Sequence, residues 1–199
     1  MAILGSATSV AAKVGRAKSN AITVELKNDA GADIASARQK GGAAVLFGFK
    51  NGGGGEYTLT AGSDELVIAV GGTTTISRNG TTIGKIVPSD GAVRFEDGGG
   101  TVLGAVRPYA GKKSDDPWVH QLVSPQGAEL GALNLTRSHT TLMDAYDDIF
   151  LADTVYSTRK LPSAGTMLQL HAPVHDVLGD VLVAACVDFA VLPRGYLAS

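Results

Sequence analysis

The chain has almost nothing with which to crosslink itself. Its 199 residues include a single cysteine, Cys186, so no intramolecular disulfide can form and a reducing, cytoplasmic compartment is expected. Charge is also scarce: only 18% of residues are Asp, Glu, Lys or Arg, and surface polarity must come largely from Thr, Ser, Asn and Gly. Neither sign dominates, with 17 basic against 19 acidic residues, so there is no general electrostatic drive toward nucleic acid and no such partner is expected. No apolar run is long enough to span a bilayer. The best candidate, Val177 to Leu192, is short and interrupted by Asp180 and Asp188. The first residues have no basic stretch ahead of their apolar ones, so no secretory signal is expected. Familiar catalytic signatures are missing too. There is no Gly-x-Ser-x-Gly, and the run Gly52–Gly55 is not followed by the Lys-Ser/Thr of a phosphate loop.

What the chain has is glycine, 26 residues of it, placed as punctuation. Three stretches repeat one pattern of Gly, two residues, a large aliphatic, Gly, one residue and another aliphatic. They are Gly80–Ile86, Gly100–Val106 and Gly127–Leu133, with a degenerate copy at Gly31–Ala37. The first glycine of each permits the positive φ of a tight hairpin turn. The aliphatics alternate at period two, as in a half-buried strand. The second glycine points to close backbone approach or a bulge beside the core. Asn79-Gly80 between alternating runs is a strong hairpin signal.

A pass along the chain places strands at Ile22–Leu26, Asp33–Arg38, Ala44–Phe49, Tyr57–Leu59, Leu66–Val70, Thr74–Arg78, Thr82–Val87, Ala92–Phe95, Val102–Arg107, Trp118–Val123, Glu129–Leu135 and Met167–Leu170. Pro88 and Pro108 each follow a returning strand and are expected to stop it. Residues 1–20 read as an N-terminal arm or short helix, and 21–199 as a single β-barrel domain. The tail departs from period two. Residues 177–192 are almost continuously apolar, with Ala-Ala-Cys at the centre, Asp176 as a capping residue and Pro193-Arg-Gly195 as a stop. A helix apolar on nearly all faces must be buried on nearly all faces. In a chain of hairpins, its place is inside a curved sheet. The expected class is therefore all-β: an antiparallel hairpin barrel wrapped around a C-terminal hydrophobic helix.

Repeated hairpins with a Gly-x-x-(Ile/Leu)-Gly-x-aliphatic return strand, followed by a hydrophobic C-terminal helix, resemble the tubby-like superfamily. Its relatives include the LURP-one-related proteins and the phospholipid scramblases. That resemblance implies a closed barrel of about twelve antiparallel strands threaded by an apolar helix. It also brings lipid headgroups into view as ligands. Tubby itself reads phosphoinositides through a Lys-x-Arg pair; here Arg16-Ala-Lys18 and Arg38-Gln-Lys40 run in the reverse order. The cysteine-rich segment of scramblases has no counterpart in this chain.

Candidate sites are few. Lys85, Arg94, Arg107, Lys112 and Lys113 could gather as an anion or headgroup site at a barrel mouth, with Arg78 as a further contributor. Asp144, Asp147 and Asp148 could gather a cation, though they lack the ordered oxygen spacing of a calcium loop. His171 and His175 have helical metal-pair spacing, but Pro173 separates them and no third ligand is evident. Cys186 reads as an inert core thiol. Asp188 must either lie on a polar edge with Asp180 or have a specific partner, because an unpaired buried carboxylate is costly. No cofactor is expected. The function expected is a non-enzymatic binding or scaffold module, peripheral to a membrane, whose partners are anionic lipid headgroups or a protein. The alternative is a structural assembly protein, such as a virion or tail component, forming homo-oligomers. An enzyme with an unrecognised site ranks third.

Overall fold

The computed structural model describes residues 3–19, 21–40, 55–89, 91–107, 119–134 and 166–191. Twelve strands run in chain order: β1 (Ser9–Arg16), β2 (Ile22–Lys27), β3 (Asp33–Gln39), β4 (Gly55–Ala61), β5 (Asp64–Val70), β6 (Thr74–Arg78), β7 (Thr81–Ser89), β8 (Ala92–Asp97), β9 (Val102–Arg107), β10 (Val119–Val123), β11 (Glu129–Asn134) and β12 (Thr166–Leu170). Each pairs antiparallel with its neighbour in sequence, and β1 pairs with β12 to close the barrel. Helix α1 (Asp176–Val191) follows.

Alternation decides which side chains face inward. Along β5, Leu66, Ile68 and Val70 are buried while Glu65 and Ala69 are exposed; β2 and β8 follow the same rule. Every α1 residue from Gly179 to Val191 is buried, and the helix touches β1, β2, β5, β6, β7, β8 and β12. It therefore occupies the lumen, and one apolar cluster joins its residues to the inward faces of the wall. The expected barrel with its central helix is what the chain forms.

The repeated glycines act as their spacing predicts. Gly31, Gly80, Gly100 and Gly127 all have positive φ. At Asn79-Gly80 both turn residues do, with φ of 51° and 76°, so the β6–β7 turn has the twist that suits a right-handed hairpin. The second glycines are buried where neighbours press in. A Cβ on Gly84 would strike Val181 of α1, and one on Gly131 would strike the Gln169 carbonyl across the β11–β12 ladder.

Two expectations need correcting. Ser9–Arg16 is neither an arm nor a helix but strand β1, paired with β2 from Ala11 to Arg16 and at its start with β12. Its inward residues, Val10, Ala12 and Val14, do alternate, but they are small; the strand is stabilised by two distant partners rather than by local propensity. Pro88 does not end its strand: β7 continues to Ser89, with Pro88 opposite Val93. Near a ladder's end a missing N–H forfeits little. The expected strand Ala44–Phe49, together with Pro108 and Pro193, lies outside the described residues.

Candidate functional site

Two groups of polar side chains stand out, one on the outer wall and one in the lumen. On the wall, Gly84 and Ile86 point inward, so Lys85 between them points outward; likewise Arg94 between Val93 and Phe95, and Arg107 after Val106. The ladder register then aligns them. Arg94 stands opposite Val87 on β7 and Ala105 on β9, so Lys85 and Arg107 are each two residues from its direct partner. Diagonal neighbours of this kind lie about 7–8 Å apart, within reach of long side chains. Three of the five expected basic residues thus form one diagonal across three adjacent strands. Lys112 and Lys113 lie outside the described residues, as do Asp144, Asp147 and Asp148.

Glu96 sits within this diagonal. It faces Lys85 directly and its Oε1 lies 3.5 Å from Nη2 of Arg94. That carboxylate lies by Lys85 and Arg94 at one end of the diagonal; on β9 it stands opposite Val102, five residues from Arg107 at the other end. On the far side of Arg107 the wall changes sign. Gln121, opposite Arg107, donates to Glu129 Oε2 at 2.6 Å, and Glu129 Oε1 lies 3.2 Å from His171 Nε2. Beside this chain runs an open groove of about 490 Å³ lined by Asp29, Glu129, Gln169 and His171. His171 is thus paired with a carboxylate. Among the described residues no group of three or more His, Cys, Asp or Glu side chains is arranged to hold a metal ion.

Arg78 is the expected contributor that the structure moves elsewhere. Thr74, Ile76 and Arg78 share the inward face of β6. Arg78 Nη2 lies 3.1 Å from Oδ2 of Asp180 on α1, and Asp180 Oδ1 accepts the Ile3 N–H at 2.8 Å. The Arg78 contact is one of charge, since neither its Nε nor its Nη2, both out of solvent's reach, makes a hydrogen bond among the described residues. At the other end of β6, the Thr74 hydroxyl donates to Asp188 Oδ1 at 2.6 Å and accepts the Gly71 N–H at 3.2 Å. The question of where Asp188 finds its partner is answered by a hydroxyl of the wall. Burial, and secondarily the negative charge of Asp188, pushes the Tyr57 phenol well above its ordinary pKa.

The spacing of these two contacts follows from backbone geometry. Asp180 and Asp188 are eight helical residues apart, about 12 Å at 1.5 Å per residue. Thr74 and Arg78 are four strand residues apart, about 13 Å at 3.3 Å per residue. One strand therefore meets both carboxylates of a helix running against it, and sets how deep the helix sits.

His120 escaped the sequence reading. It is fully buried in β10, on the inward face it shares with Leu122, and its place in the alternation was the available signal. Comparison with protein-family models, with curated proteins and with solved structures finds no match to this chain.

Proposed function

We propose that the chain is a tubby-like, non-enzymatic binding module that meets anionic lipid headgroups through the outer face of β7, β8 and β9. The observation that carries this role is the diagonal of Lys85, Arg94 and Arg107, which turns three isolated basic residues into one surface. Phosphate oxygens accept charge-assisted hydrogen bonds from such groups, and a basic surface near an anionic bilayer gains about 1 kcal/mol per Lys or Arg. The contact is one of surface with surface. The wall presents charged residues outward, including Glu25, Arg38, Glu65 and Arg94, and among the described residues Val102 is its one exposed large hydrophobic. That is the reverse of a barrel whose strands cross a bilayer. No helix of the described residues is long and apolar enough to cross one either.

Sedimentation with vesicles tests this directly. Phosphatidylcholine vesicles containing phosphatidylserine or a phosphoinositide should pull the protein down, less so as salt rises, and pure phosphatidylcholine should not. Replacing Lys85, Arg94 and Arg107 together by Gln should abolish the difference. Equal recovery with neutral and anionic vesicles would end the proposal. A large symmetric oligomer in light scattering, without vesicle binding, would favour an assembly subunit instead.

A further inference from the structure

We infer that residues 3–7 form a strap that closes one mouth of the barrel and is released as a unit, with Asp180 of the helix as its catch. The segment is a self-contained turn. Gly5 has a φ of 57°, and the Ala7 N–H donates to the Leu4 carbonyl at 3.1 Å. From Thr8 onward the chain belongs to the wall, since the Thr8 carbonyl accepts the Leu170 N–H at 2.7 Å. The change from wall to strap therefore falls between Ala7 and Thr8.

Leu4 is inserted into the core cluster, 2% exposed, Ile3 and Ala7 pack partly buried against it, and the Ile3 N–H is bonded to Asp180. A segment tied by one buried side chain, two partly buried ones and one charge-assisted hydrogen bond opens at lower cost than a strand laddered on both sides. The catch itself does not move with the strap, because Asp180 is fixed on the helix and faces Arg78 from β6. Release uncovers the Arg78–Asp180 pair and the apolar seat of Leu4 while leaving the barrel closed. The fold thus contains a small door at the end of the lumen where the helix begins.

Native-state hydrogen exchange on the full chain, read by NMR, tests this. In the unaltered protein the Ile3 and Ala7 amides should exchange together, by one opening, at least roughly tenfold faster than the paired amides of β2 and β6. Asp180→Asn should accelerate Ile3 and Ala7 alike by roughly fivefold, with both still exchanging well ahead of the paired amides of β2 and β6. The Ala7 amide does not touch Asp180, so its acceleration distinguishes release of a unit from loss of one bond. Leu4→Ala should reproduce the pattern without altering the catch, and it decides the matter should Asp180→Asn fail to fold. Exchange of Ile3 and Ala7 only in step with the strands, or acceleration of Ile3 alone, overturns the inference.

Discussion

The two ends of the helix carry the same residue type and treat it in opposite ways. Asp188 lies wholly out of water and is met by the Thr74 hydroxyl, with Tyr57 close enough to sense its charge. Asp180 lies at a mouth, meets a guanidinium whose side chain is 28% exposed, and accepts an amide from the chain's own N-terminal turn. A sealed carboxylate must be satisfied by donors fixed in the protein, because water does not reach it. A carboxylate near a mouth, though itself buried, can use a cation whose side chain reaches toward solvent. The sealed end should therefore be intolerant of change and the mouth forgiving, although both contacts come from one strand.

The largest expected effect breaks both contacts at once. Gly84→Val would drive a side chain into Val181, next to Asp180, and force the helix off its seat against β6. Overpacking of this kind costs about 3 kcal/mol, which a shift in the urea midpoint would register. Next, Asp188→Ala removes the acceptor of a buried hydroxyl and should cost about 2–3 kcal/mol in the same measurement, with Asp188→Asn near half of that. At the mouth, Asp180→Asn should cost about 1 kcal/mol, since an amide oxygen still accepts the Ile3 N–H and the Arg78 side chain is 28% exposed. A loss from Asp180→Asn as large as that from Asp188→Ala would erase the distinction between the ends.

A separate effect is expected in alkaline solution. Burial pushes the Cys186 thiol from 9.0 up to about 12, and the Tyr57 phenol is raised from 10.0 by burial and then by Asp188. Both groups lose their protons more readily in the unfolded chain. The stability that they contribute is thus fully present below about pH 9 and is lost as pH rises toward 12. Asp188→Asn should make the Tyr57 share of this loss shallower, which ties the alkaline limb to the sealed end. A denaturant midpoint independent of pH from 8 to about 11 would contradict the burial of both groups.

Much of the barrel can be read from local signals. Asn79-Gly80 and the glycines at 100 and 127 mark turns through the φ values they permit, and Leu66-Val-Ile68-Ala-Val70 shows its inward face by alternation alone. The helix is legible because a sixteen-residue segment with no polar face has only one kind of environment to occupy. Strand β1 was not legible. Ser9–Arg16 has small inward residues, and its partner β12 lies near the other end of the chain. No local signal carries a pairing of that range. The same limit applies to the wall. Lys85, Arg94, Arg107 and Arg78 look alike in the sequence, and only register sends three to one outer diagonal and the fourth to the lumen.

By itself the amino-acid order determined the turns, the inward faces and the all-round apolar helix, because each depends on neighbours within a few residues. Tertiary structure alone decided the closure of β1 on β12, the diagonal of cations, and the meeting of Thr74 and Arg78 with Asp188 and Asp180. Those depend on ladder register and on the different rises of strand and helix, which bring distant residues together only once the barrel has closed.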